Sequence, residues 1–207
     1  EGGRLSVGFT VTGSSTSPPA KIVLDKNEDL QVILTKPLGT GVIMAAQMQL
    51  RADAGWVDDA IANMRHSNRQ AAEIFLQNNA IAATDVTGFG LARHAQNLAT
   101  RVGITGCTID LAAVPLLDGV THLFEAGILS TLHAQNQLAV TIHDENLQYK
   151  NRSSVLFDPQ TSGGLLGVFS AKDAENAVTA LIKTGCRAAV IGHLDQHFAG
   201  IKVVSGG

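Results

Sequence analysis

Ala80-Ile81-Ala82-Ala83-Thr84-Asp85-Val86-Thr87-Gly88-Phe89-Gly90 changes periodicity halfway along its length. Ala80 to Thr84 is a short apolar run of strand length. Beyond the glycine-rich turn, Leu91, Ala95, Leu98 and Ala99 recur at helical spacing. A strand feeding a helix through such a turn is the building unit of layered α and β domains. Outward from it, Leu30 to Leu34, Cys107 to Leu111 and Leu165 to Phe169 read as further short strands. Arg187 to Ile191 and Gly200 to Val204 read as a closing pair. Apolar positions at Ile61, Met64, Ala71, Ala72, Ile74 and Phe75 predict one long helix from about Asp58 to Asn78. Asp118 to Ala126 predicts a short helix closed by Gly127. Ser170, with Asp173 three residues on, predicts a capped helix ending at Gly185. Thr131 to Ser154 is polar and mixed, and takes no assignment. The expected class is α+β, with mixed α/β layers and helices packed on a mostly mixed sheet.

Composition agrees with that class. Hydrophobic residues make up 45% of the 207 and charged residues 16%, the balance of a globular chain. Aromatic residues are only 4%, so the apolar mass is small and aliphatic, unlike a stacking platform for single-stranded nucleic acid. The net charge of −3, with no basic run, argues against nucleic acid as a partner. No apolar stretch approaches the ~20 residues that cross a bilayer. Cys107 and Cys186 lie far apart, outside any C-x-x-C pair, in apolar runs that favour inert thiols over a nucleophile. A cytoplasmic setting is the default expectation.

The chain opens on Arg4-Leu5-Ser6-Val7-Gly8-Phe9-Thr10-Val11-Thr12-Gly13, a strand-like alternation with no preceding partner. Gly13-Ser14-Ser15-Thr16-Ser17-Pro18-Pro19 follows as a linker by composition. The expected organisation is therefore an arm and linker over residues 1–29 and one domain over 30–207.

Three glycine-rich turns carry the candidate chemistry: Lys36-Pro37-Leu38-Gly39-Thr40-Gly41, Asp85 to Gly90, and Asp158-Pro159-Gln160-Thr161-Ser162-Gly163-Gly164. Glycine lets backbone amides approach a ligand, and a helix start adds free N–H donors, so phosphate is the natural guest. A glycine turn beside a strand is more often only a connection needing no ligand; at Gly39-Thr40-Gly41 the two readings stand equal, and Gly163-Gly164 before a strand reads better as backbone packing. Asp85, at a strand's carboxyl end, is the sharpest candidate. Its carboxylate is a hard oxygen ligand of the kind that shares Mg²⁺ with a phosphate, or else a cap for the following helix. Thr84 and Thr87 flank it as hydrogen-bond donors. Lys36 is placed to reach a phosphate, or is a surface lysine near a turn. Asn68 is a structural candidate, fixing its helix against the sheet. The seven histidines form no zinc-ligand pattern.

Taken together, Leu34-Thr35-Lys36-Pro37-Leu38-Gly39-Thr40-Gly41, Ser67-Asn68 with Ala71-Ala72, Ala83 to Leu91, and Phe157 to Leu166 resemble selenophosphate synthetase (selenide, water dikinase). Val114-Pro115 and Asn136 match between the larger motifs. The likeness runs from about residue 30 to residue 194, in the family's order and spacing. Aminoimidazole ribonucleotide synthases, thiamine-monophosphate kinases and hydrogenase maturation proteins share that fold but differ at the Asp-Val-Thr-Gly-Phe-Gly turn.

The resemblance implies an AIR synthase carboxy-terminal-domain-like fold, and the carboxy-terminal half of a two-domain homodimeric enzyme. That enzyme converts ATP, selenide and water into selenophosphate, AMP and orthophosphate. It implies that Asp85 is this half's one ligand to magnesium, that Thr84, Thr87, Gly88 and Lys36 lie at the nucleotide, and that catalytic residues belong to an amino-terminal half. ATP and selenide would bind through that half, so the chain alone is expected to be inactive. The rival expectations are a non-catalytic binding or regulatory relative, and another enzyme of the same fold.

Overall fold

The computed structural model describes Thr10, Thr12 and residues 29–144 and 150–204. The expected arm and linker lie outside the described residues, apart from those two threonines and Asp29. Strand β1 (Leu30–Leu34) lies inside the sheet because it is apolar on both faces. Leu30, Val32 and Leu34 face one hydrophobic core and Ile33 the other, the period-two consequence of the pleat.

Around β1 the described strands form one seven-stranded mixed sheet, ordered β2-β5-β1-β6-β3-β7-β4. The others are β2 (Ala82–Asp85), β3 (Gly106–Asp110), β4 (Ile142–Asp144), β5 (Leu165–Ser170), β6 (Ala189–Asp195) and β7 (Gly200–Val204). β5 and β6 flank β1 antiparallel, β2 continues antiparallel from β5, and β7 and β4 run parallel beyond β3. The layered mixed sheet is as expected. The closing pair is not: β6 and β7 do not pair, because β3 lies between them. β3 is buried along four of its five residues and so takes a neighbour on each side. The turn between β6 and β7 closes over its start, where Thr105 Oγ1 donates to Phe198 O at 2.8 Å and Gly200 N–H to Thr105 O at 3.0 Å. Gly192 permits the approach of β6, since a Cβ there would lie 1.9 Å from Thr108 O.

Helices cover both faces of the sheet. α1 (Thr40–Met48), α4 (Gly90–Arg101) and α5 (Val120–Glu125) share one core, with Val42, Leu91, Leu98 and Leu123 among its buried members. α3 (Arg69–Gln77) and α8 (Ala171–Lys183) share the other, where Phe75 meets Phe169 edge-on at 5.0 Å. α8 starts as expected, with Asp173 N–H donating to Ser170 Oγ at 3.2 Å. α6 (His133–Leu138) and α7 (Lys150–Ser153) fall in the stretch that had no assignment.

The single long helix predicted from Asp58 divides into α2 (Ala54–Arg65) and α3, broken at His66-Ser67-Asn68. Tertiary bonds cause the break. Lys36 Nζ donates to His66 O at 2.6 Å and Asn68 Nδ2 to Gly163 O at 2.8 Å, which draws this connector onto the sheet loops. Ile61, expected in the core, is 41% exposed, and Ala60 is buried in its place.

Candidate functional site

The three glycine-rich turns meet at one end of the sheet and are laced together. Gln160 Oε1 accepts from Gly39 N–H at 3.1 Å, Thr40 N–H at 3.3 Å and Thr40 Oγ1 at 3.2 Å. Asp158 Oδ2 accepts from Gly41 N–H at 3.1 Å and Gln160 Nε2 at 2.9 Å. Gln160 N–H donates to Thr87 O at 3.1 Å, and Val86 N–H to Gly164 O at 2.9 Å, which binds the second turn to the third. Asn136 Nδ2 bridges the carbonyls of Gly88 (2.8 Å) and Phe157 (2.9 Å).

This lacing decides between the two readings of Gly39-Thr40-Gly41. The first N–H groups of α1 are not left for a phosphate, because Asp158 and Gln160 cap them from inside the protein. Both capping residues are buried. Burial lifts the Asp158 carboxyl to about 7, against the opposing pull of its hydrogen bonds from Gln160 and the start of α1. Asp158 and Gln160 were visible in the sequence only as members of a turn. Their role depends on a contact more than a hundred residues away in the chain.

Asp85 ends β2, an edge strand of the sheet, and is exposed. The capping alternative fails. α4 begins at Gly90 with Phe89 at its N-cap position, no side chain caps it, and Gly90 N–H bonds back to Thr87 O at 3.1 Å. Among the described residues no donor engages the Asp85 carboxylate, although its charge reaches His94.

Thr84 is half-buried beside it, with Oγ1 donating weakly to Asp85 O at 3.3 Å. Thr87 turns inward: its N–H donates to His94 Nε2 at 3.1 Å, and its hydroxyl lies 3.1 Å from the same nitrogen. Accepting that N–H requires Nε2 to be unprotonated, and burial lowers the His94 pKa in the same sense, with Asp85 opposing. His94 was missed as a member of this site, since only the fold brings it under the turn.

Gly88 differs from its neighbours. A Cβ at Gly41, Gly163 or Gly164 would come within 3.0 Å of another of the turns, and one at Gly90 within 3.0 Å of the Leu156–Phe157 backbone, so close packing explains those glycines. At Gly88 a Cβ would meet nothing within 4 Å, and its φ is not positive. Among the described residues no contact requires glycine there, and no acceptor takes its N–H. Gly88 therefore faces open space.

Lys36 is not the surface lysine of the sequence reading. It is buried at 3% exposure, and its ammonium donates to His66 O and to Ser162 O at 3.0 Å. Burial lowers its pKa, against the influence of Cys186. Lys36 thus ties the α2–α3 connector to the third turn. Asn68 has the structural part expected of it, through Gly163 O.

Asp85 and Thr84 stand at the lip of a groove of about 680 Å³ between β2 and α3, floored by Ala72, Phe75, Ala82 and Leu165. Leu76, 81% exposed, borders it. Among the described residues no three His, Cys, Asp or Glu side chains cluster to hold a metal, so Asp85 offers a single ligand. No described helix is long and apolar enough to cross a membrane.

Solved structures share this fold. Thiamine-monophosphate kinase from Stenotrophomonas maltophilia K279a superposes with a TM-score of 0.59 at 15% identity, over 85% of this chain and 50% of that one. The hydrogenase maturation protein HypE from E. coli gives 0.59 at 15% identity, over 86% and 46%. In sequence, the selenide, water dikinases of Geobacter sp. (strain M21) and Geobacter metallireducens are 35% and 38% identical over 200 and 192 residues. These alignments cover 94% and 91% of this chain but only 56% and 55% of the relatives, so the chain spans about half their length. Residues 27–202 match the family described as AIR synthase related protein, C-terminal domain, and the chain belongs to that family.

Proposed function

We propose that the chain is the carboxy-terminal half of an ATP-dependent selenide, water dikinase, which closes over a magnesium-bound triphosphate held mainly by an amino-terminal half. The observation that carries this reading is a pair of groups at the second turn, the Asp85 carboxylate and the Gly88 N–H, that no described residue engages in a hydrogen bond. Gln160, Asp158 and Val86 bond across the turns, whereas among the described residues the Asp85 carboxylate accepts no hydrogen bond and the Gly88 N–H finds no acceptor. A carboxylate without a counter-ion fits a hard divalent cation, and a side-chain-free amide fits a phosphate oxygen.

In this reading Asp85 lends one oxygen ligand and Gly88 one N–H. Thr84 is a neighbouring hydroxyl donor at the same lip. Thr87 holds the turn's shape through His94, and Lys36 acts at the nucleotide by holding the third turn rather than by touching phosphate. Magnesium, when bound, would neutralise charge on the transferring phosphates. The matched relatives bear the name selenide, water dikinase, and a HypE of the same fold (TM-score 0.55) was solved with ATP, both of which support ATP as the ligand. The reaction's catalytic groups would lie in the amino-terminal half, so the chain alone should release no AMP from ATP and selenide above a no-protein control.

The test is calorimetric titration of a non-hydrolysable ATP analogue, with and without Mg²⁺, into the chain combined with a separately made amino-terminal half. Asp85→Ala should weaken the Mg²⁺-dependent part of binding by at least about tenfold. Binding with unchanged Mg²⁺ dependence in the variant would remove Asp85 from the site.

A further inference from the structure

Both cysteines are buried, but Cys186 borders a cavity. Cys107 lies on β3, fully buried, and burial pushes its thiol up to about 12, which makes it inert. Cys186 follows α8 and lines a cavity of about 270 Å³ whose wall also carries Lys36, Asp59, Asn63, His66 and Arg187. Its Sγ lies 3.9 Å from His66 Nε2 and 3.5 Å from Thr184 Oγ1. Lys36 is near enough to feel its charge. A thiol beside an imidazole and an ammonium, at the wall of a water-accessible cavity, has a proton acceptor and a counter-charge for the thiolate. Two cations face one carboxylate across that cavity, which favours an anionic visitor.

We propose that Cys186 is a modification site, a nucleophilic thiol that forms a mixed disulfide with small anionic disulfides entering this cavity. His66 Nε2 takes the Cys186 proton. The thiolate sulfur attacks one sulfur of the disulfide, a new S–S bond to Cys186 forms as the old one breaks, and the electron pair leaves with the departing thiolate, which is then protonated. The disulfide is the oxidant, and no other is needed. The adduct would sit beside Lys36, the residue that ties His66 O to Ser162 O. This site is separate from the Asp85 groove and does not depend on the function proposed there.

The test uses the folded 207-residue chain with glutathione disulfide, read by intact mass and peptide mapping. One glutathione adduct is expected, on Cys186, and none on Cys107 until the chain is denatured. His66→Asn should slow the reaction near neutral pH about tenfold, through loss of the base that takes the thiol proton. That variant keeps the backbone carbonyl that holds Lys36, so an unchanged melting temperature separates loss of the base from loss of structure. Cationic cystamine should react more slowly than glutathione disulfide. Labelling of Cys107 at a comparable rate, an unmodified Cys186, a rate indifferent to His66, or a faster cystamine reaction would each overturn the proposal.

Discussion

Asp158 places a buried carboxyl group under the first turn of α1, where Gly41 N–H and Gln160 Nε2 both donate to it. Asp158→Ala strands those donors and should cost about 1–3 kcal/mol in denaturant unfolding. Its raised pKa sets the sign of a pH effect. Between 3.8 and about 7 the folded chain holds a proton that the unfolded chain releases, so this group's contribution to stability falls as pH rises through that window. Asp158→Asn should remove that slope, and an unchanged slope would show that the carboxyl is not the source. His94 acts in the opposite direction. Its pKa is lowered in the fold, so its contribution is lost as pH falls from the unfolded value of 6.5 towards the folded one. Acid should break the Thr87–His94 bond before it unfolds the domain. Nitrogen-15 shifts of Thr87 that do not move with His94 titration would contradict this.

Elements carry a second set of constraints. α3 is held to the sheet through Phe75 against Phe169, and through Asn68 against Gly163. Gly167 leaves room for those rings, since a Cβ there would lie 2.5 Å from Phe75 and 2.7 Å from Phe169. Gly167→Ala should therefore destabilise the domain by about 1–3 kcal/mol through overpacking. A thermal midpoint equal to that of the parent would show that the rings can shift without cost. Much at this scale was legible beforehand: β1, β5, α4 and the Ser170 cap follow from periodicity and local chemistry. The α2–α3 break was not. Its cause is the pull of Lys36 and Asn68, and in sequence Ser67-Asn68 reads equally well as helix interior.

For the molecule as a whole, the groove along β2 and α3 is apolar along its floor and polar at its Asp85 lip. β2 also ends the sheet, with one edge unpaired among the described strands. An amino-terminal half that shares the nucleotide with Asp85 would approach this face and cover Leu76. Hydrogen exchange should then slow over residues 72–85 when that half is added, and more so with nucleotide and Mg²⁺. Protection confined to the opposite edge, at β4, would place the partner elsewhere.

Strands β1 and β5, helix α4, the Ser170 cap and the four ordered motifs were determined by the sequence alone, because each rests on neighbours within a few residues. Tertiary structure alone decided that β3 separates β6 from β7 and that Asp158 and Gln160 fill the start of α1. It also decided that Lys36 is a buried tie, and that among the described residues Asp85 caps no helix. Those outcomes depend on which distant groups reach a donor first. A hydrogen bond between residues more than a hundred apart leaves no periodic trace in the chain.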